Sequence, residues 1–279
     1  MKKLKIAIAT ALLIIVAGGA FIWSQLPSVP QASPLAGPWL DHSAVAVVQI
    51  DDAPWSDFLH RHLRRRADGI NRIAYGAVST AEREDLEKWL RGMERLDVAR
   101  LTRRQQLAYW INLYNAVTVD LVLQAYPVDS ILKIKDGVLP TGPWNRKVVK
   151  IDGRLLSLND IEHGILRPVW RDPRVHYAIN CASLGCPNLQ PEPFEAGDID
   201  RRLESAAAEF INHPRAFAIV NGQLRASEIY HWYAADFGGP AGAIRHARIH
   251  AHPLLLQQLA GRSAADVYDY DWRLNDASR

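Results

Sequence analysis

The chain has 279 residues, 48% of them hydrophobic and 23% charged. That balance belongs to a folded globular protein and excludes a disordered or collagen-like chain. The net charge is +3, and Lys2, Lys3 and Lys5 alone supply three positive charges. The remainder is near neutral and carries no recognition motif for DNA or RNA, so nucleic acid is not an expected partner.

In chain order, a basic start, MKKLK, precedes eighteen uncharged residues at positions 6–23. Such a run is long enough to cross a bilayer core of about 30 Å, with Trp23 at one edge and the lysines on the cytoplasmic side. The expectation is a signal-anchor over residues 1–24. It makes the chain a single-pass inner-membrane protein with an extracytoplasmic, periplasmic body, and the membrane is its first partner. Cleavage near Gly18-Gly19-Ala20, followed by secretion, is the alternative. Residues 25–40 carry four prolines among small and polar residues and read as a tether. Residues 41–279 are long enough for a single globular domain.

In that domain AVAVVQI (44–50) reads as a short strand, and APWSDFLHRHLRRR as a helix with Trp55, Phe58, Leu59 and Leu63 on one side. A second helix begins at Ser79 or Thr80, which cap it. The strongest helical signal runs from Thr102 to Pro127. It is apolar almost all round between Leu107 and Leu123, the mark of a central buried helix. Asn112 and Asn115 interrupt it. A buried amide must satisfy both its oxygen and its NH2, so each asparagine ties down loop backbone or serves a site.

Two later segments share a plan of strand, tight turn, strand and capped helix. One turns at Asp152-Gly153 and caps with Ser157; the other turns at Asn221-Gly222 and caps with Ser227. DPRVHYAINC reads as a strand leading to the cysteines. Residues 196–213 read as a helix capped by Asp198. YDYDWRL alternates Tyr268, Tyr270, Trp272 and Leu274 on one face, as in a half-buried strand. The fold class is α+β: a helix-rich N-terminal half around a central buried helix, with antiparallel hairpins and helices in the C-terminal half.

The candidate chemistry centres on NCASLGCP, which holds Cys181 and Cys186, both cysteines of the chain. A nucleophilic thiol needs a base, and the base needs a partner. His163 and His176 are the nearest imidazoles in sequence. On an extended strand His176 would face away from Cys181, which favours His163. On the helix 158–167 a period of 100° puts Glu162 inside the apolar face and His163 at its edge. A carboxylate there demands pairing. The pair reads as site residues, with Glu162 bound to a buried arginine as the alternative. C-x4-C spacing also allows a Cys181–Cys186 disulfide. Its short loop would stabilise by less than the roughly 3 kcal/mol that chain entropy gives a loop of fifteen residues, so it suits a redox latch better than a staple. His246, His250 and His252 lie close together but suit a basic surface patch, and His231 sits among aromatic residues. No phosphate-binding, dinucleotide or serine-hydrolase motif is present, and no metal or cofactor is expected.

The blocks AYWINLYNAVTVDLVL, LNDIEHGILRP, RVHYAINCASLGCPNL, WYAADFG and YDWRLN resemble, in this order, a family catalogued as domain of unknown function 547. The resemblance runs from Trp55 to Asn275. It singles out Trp110, Asn112, Asn115, Glu162, His163, His176, Asn180, Cys181, Cys186 and Pro187, all present here. The thiol, histidines and polar partners also invite comparison with papain- or transglutaminase-like folds. The order of His163 before Cys181 is the reverse of papain's and requires a permuted or unrelated fold. The expected function is a cysteine-dependent hydrolase or acyl transferase acting on amide bonds of a peptide, protein or cell-wall ligand. Cys181 would be the nucleophile, His163 or His176 the base, Glu162 its companion, and Trp110, Asn112, Asn115 and Asn180 the binding residues. The alternative is a binding or scaffold domain with a Cys181–Cys186 disulfide or redox latch.

Overall fold

The computed structural model describes residues 30–134 and 141–278. The protein is α+β, as expected. Helix α1 (Ala53–His62) leads into the antiparallel hairpin β1 (Leu63–Arg65) and β2 (Asn71–Ile73). Helix α2 (Thr80–Glu94) starts with a capping box: the Ser79 hydroxyl accepts from the Glu82 N–H, and the Glu82 carboxylate accepts from the Ser79 N–H. Thr102 and Gln105 repeat the device at the start of α3 (Arg103–Ala125).

Helix α3 is the axis of the molecule. From Gln106 to Val122 every residue is buried, so the helix is enclosed by protein on all sides. Each large apolar side chain buried there, Trp110 and Leu113 among them, contributes about 1.5–3 kcal/mol relative to exposure. Strands β3 (Val149–Ile151) and β4 (Arg154–Leu156) pair antiparallel around Asp152-Gly153. Both turn residues have positive φ, 49° and 74°, as this turn demands.

The next segment, Asp160–Leu166, is a π-helical turn that runs into the short helix α4 (Arg167–Trp170). The expected α-helical faces do not apply there, because i→i+5 bonding widens the turn. Residues 161–167 are all buried, so His163 lies inside the protein, not at the rim of the apolar face. Helix α5 (Ile199–Ile211) precedes the hairpin β5 (Phe217–Val220) and β6 (Gln223–Ser227). Helices α6 (Ile229–Trp232), α7 (Gly239–His250) and α8 (Pro253–Gln258) follow, and β7 (Val267–Asp269) joins β6 in parallel.

Several local expectations change. Residues 44–50 form no strand, and Val45 and Val47 are more than half exposed, so no second surface pairs with them. Pro173–Tyr177 is a 3-10 turn rather than a strand: the Asp172 carboxylate accepts from the Arg174 N–H, and Pro173 opens the turn. Asp198 precedes α5 but makes no side-chain cap and pairs instead with Arg201 and Arg202. Only the first part of the C-terminal alternation is a strand.

The proline-rich segment is not a free tether in its described part. Trp39 is fully buried and meets Trp110 edge to face at 5.8 Å, while Leu35 packs on the core. Residues 1–24, read as an inner-membrane anchor, lie outside the described residues. Among the described residues no helix is long and apolar enough to cross a membrane. The expected transmembrane anchor, single-pass inner-membrane placement and membrane partner are therefore not supported by any described helix. The longest described helix, α3, owes its apolar surface to burial within the protein.

Candidate functional site

The cysteine loop is built from beneath and above. From α3, the Asn115 amide donates to Ala178 O at 2.9 Å and its oxygen accepts from Asn180 N at 2.8 Å. Asn180 then closes the loop on itself: its oxygen accepts from Ala182 N and its NH2 donates to Pro187 O at 2.7 Å. This bracing holds Ala182 at φ +58°, a left-handed conformation that costs a non-glycine residue about 1–3 kcal/mol. From above, Leu184 N and Gly185 N donate to Arg273 O and Asp271 O. Gly185 allows this approach, since a Cβ there would lie 2.8 Å from Asp271 N.

Asn112 does equivalent work on another loop, exchanging two hydrogen bonds with the backbone of Phe194. Trp110 is fully enclosed by Trp39 and Tyr109. The expected binding residues Trp110, Asn112 and Asn115 are thus core and loop anchors, and Asn180 is the brace of the cysteine turn.

The two sulfurs are 2.7 Å apart as free cysteines. Cys181 N donates to Cys186 Sγ at 2.9 Å. The hydroxyls of Tyr270 and Ser183 lie 3.0 Å and 3.3 Å from Cys181 Sγ, and 3.0 Å from each other. Arg215 grips the loop through Leu184 O and Asn188. Burial, then the neighbouring Cys186, raises the Cys181 thiol well above its ordinary value. Burial also opposes ionisation of Cys186. Hydrogen bonds from Cys181, Tyr270 and the Cys181 N–H, with Arg215 nearby, more than offset it and hold Cys186 below its ordinary value. The loop therefore favours ionisation of Cys186, which is buried, over that of Cys181, which retains partial exposure.

The expected acid and base form a separate network. The Tyr114 hydroxyl donates to Glu162 at 3.0 Å, and the Tyr233 hydroxyl also serves that carboxylate. Burial works against Glu162's charge, but His163 and His176 hold its pKa below the ordinary value. Arg167 donates to His163 Nδ1 at 2.8 Å. An arginine cannot accept, so Nδ1 is the lone-pair nitrogen and the proton of neutral His163 sits on Nε2. Burial, together with Arg167, lowers the pKa of His163. Arg167 also binds Asp236 through two nitrogens, at 2.6 and 3.1 Å, and His176 Nε2 reaches Asp236 at 2.7 Å. The His176 ring stacks on Tyr233 at 4.0 Å.

Among the described residues no imidazole is a hydrogen-bond partner of either sulfur. The structure brings Cys181, Cys186 and Asn180 together, and separately groups Glu162, His163 and His176. A cavity of about 550 Å³ lies elsewhere, between α1 and α2, lined by Phe58, His62, Glu82, Trp89 and Met93 among others. Sequence reasoning missed Tyr270, Tyr233, Asp236, Arg167, Tyr114 and Arg215. The first three sit in the blocks YDYDWRL and WYAADF, where their polar atoms were hidden within apolar patterns. Among the described residues no group of histidine, cysteine, aspartate or glutamate could hold a metal.

Residues 98–211 match the family described as "Protein of unknown function, DUF547". The match includes α3, the π-turn, the cysteine loop and α5, but not Arg215, Tyr233, Asp236 or Tyr270, and it is narrower than the expected Trp55–Asn275. No curated protein and no solved structure matches the chain. The match to the DUF547 family of unknown function thus rests on the helix and loops that carry the asparagines, the Glu-His pair and both cysteines.

Proposed function

We propose that Cys181 and Cys186 form a dithiol–disulfide pair that exchanges electrons with a partner disulfide. The carrying observation is the 2.7 Å contact between the sulfurs, in a turn where hydrogen-bond donors surround them. The contact favours this reading over amide hydrolysis, which needs an imidazole at the sulfur. His163 Nδ1 instead accepts a hydrogen bond from Arg167, and His176 is committed to Asp236.

In the forward direction the partly exposed Cys181 meets the partner disulfide. Its proton crosses to Cys186, its sulfur attacks, and a mixed disulfide forms as one partner thiolate leaves and takes up a proton from solvent. Cys186 then attacks the Cys181 sulfur, and its proton departs with the second partner thiolate. One thiol and one thiolate are oxidised to the protein disulfide, and the partner disulfide, with one proton from solvent, is reduced to two thiols. The lowered pKa of Cys186 suits the second step, because the sulfur that must attack within the protein is the one that gives up its proton more readily.

Equilibration in graded mixtures of reduced and oxidised glutathione, followed by acid quenching and mass spectrometry, tests the reading. Both thiols should disappear together with the loss of two hydrogens, along one two-electron curve. Cys186→Ser should stop at a glutathione adduct on Cys181. Independent glutathionylation of both cysteines in the wild type, with no internal disulfide at any ratio, would refute it.

A further inference from the structure

The arm over residues 30–40 lies across the π-turn in a manner the sequence explains. Pro168 has no N–H to offer His163 O, five residues behind it, or Gly164 O, four behind it. The arm supplies both: Ser33 N donates to His163 O at 3.0 Å and Leu35 N to Gly164 O at 2.8 Å. Donors on alternate residues are the signature of an extended strand read along one edge. Gly164 makes room for it, because a Cβ there would stand 2.9 Å from Leu35 Cβ.

Three arginines read four carbonyls of the arm. Arg167 donates to Pro30 O at 2.8 Å, Arg154 to Ala36 O at 2.5 Å, and Arg103 to Trp39 O and Leu40 O at 3.0 and 2.8 Å. Trp39 is the side-chain anchor, seated against Trp110 with Arg154 over its ring. Of the arm's other side chains, those of residues 30–34 and 36 are exposed. The arm is therefore held through main-chain atoms, Leu35 and Trp39. It is joined to the body through residues 44–50, which form no regular structure.

We propose that this groove is a peptide-binding site, and that the arm is its ligand in cis. The groove recognises an extended segment by two outward carbonyls, three guanidinium groups and a tryptophan pocket. Its partner is an extended polypeptide with leucine and tryptophan four residues apart, which displaces the arm. The recognition is of the β-strand-addition kind, except that a π-turn supplies the edge.

The test uses the full chain and a fluorescein-labelled peptide of sequence PQASPLAGPWLDH, residues 30–42. A tethered arm competes at an effective concentration of about millimolar, so fluorescence anisotropy should show at least about tenfold tighter peptide binding to Trp39→Ala than to the wild type. The same peptide with its own tryptophan replaced by alanine should not bind. Adding Gly164→Val to the Trp39→Ala chain should abolish binding of the normal peptide. A second experiment keeps Trp39: a protease site is placed at the exposed Val45–Val47 stretch and the chain is cut. The labelled peptide should then exchange with the arm at equilibrium. Equal binding to Trp39→Ala and wild type, or failure of the cut chain to exchange, would overturn the proposal.

Discussion

Asp52 gives a direct measure of how this fold handles a carboxylate. It precedes α1 as the cap residue yet makes no cap hydrogen bond. Among the described residues its buried Oδ1 has no partner, and its Oδ2 receives only a long 3.4 Å contact from Asn112. Burial first, then Glu195 and Asp51, raises its pKa from 3.8 to about 7. The shift is about three units at 1.36 kcal/mol each, a ceiling of roughly 4 kcal/mol. Because the carboxyl keeps some access to water, about 2–4 kcal/mol is expected. The sign follows from proton uptake. Between the two pKa values the folded state holds a proton that the unfolded state has released. This stability is therefore fully present below about pH 4 and is lost as the pH rises to about 7. Asp52→Asn removes the titration without removing a cap. Urea unfolding of both proteins at several pH values and constant ionic strength is the assay. The variant should gain little near pH 4 and about 2–4 kcal/mol near pH 8. Parallel stability curves, or a wild type that gains on the variant as the pH rises, would refute the reasoning.

Tyr270→Phe removes the hydroxyl shared by Cys181 and Ser183. The pH midpoint of thiol alkylation should move up by about one unit, the scale of one hydrogen bond to an ionised group; an unchanged midpoint would contradict the thiolate assignment. Asp236→Ala strands the buried Arg167 guanidinium and deprives His176 of its acceptor. The cost at neutral pH should be about 3–5 kcal/mol, read from the denaturation midpoint. Burial works to raise the pKa of Asp236, but His176 and Arg167 hold it below the usual carboxylate range. The stabilisation it gives is therefore present above pH 3.8 and lost only as the pH falls through its lower folded value. A cost that persists undiminished in strong acid would argue against the ion network.

Local signals carried much of the fold. Ser79 and Thr102 cap their helices in the structure, Ser79 being one of the two caps expected for its helix. Asp152-Gly153 and Asn221-Gly222 turn the hairpins they mark. In each case the deciding hydrogen bonds join residues within a few positions of one another, so the sequence contains both partners. Where an apolar run had no such punctuation recognised, the expectation failed. VHYAI reads as a strand by composition, although Asp172 and Pro173 in front of it signal a helical turn.

The composition of the polar centres was legible, but their wiring was not. Glu162 stood out as a carboxylate on an apolar helix face, His163 as its neighbour at the edge and Cys181 as one of two cysteines in a short motif; Glu162 and His163 are buried and Cys181 partly so. Periodicity reports that a side chain faces inward; it cannot name what it meets there. Asp236 reaches Arg167 across 69 positions, Tyr270 reaches Cys181 across 89, and Pro30 reaches Arg167 across 137. The sequence by itself determined the helices, the tight turns and the set of residues that must find partners. Only the packing of α3 against the loops and the arm decided that the histidines go to Arg167 and Asp236 while the sulfurs go to each other. A hydrogen bond exists only where two chain segments distant in sequence are held within about 3 Å, and that distance is a property of the whole core.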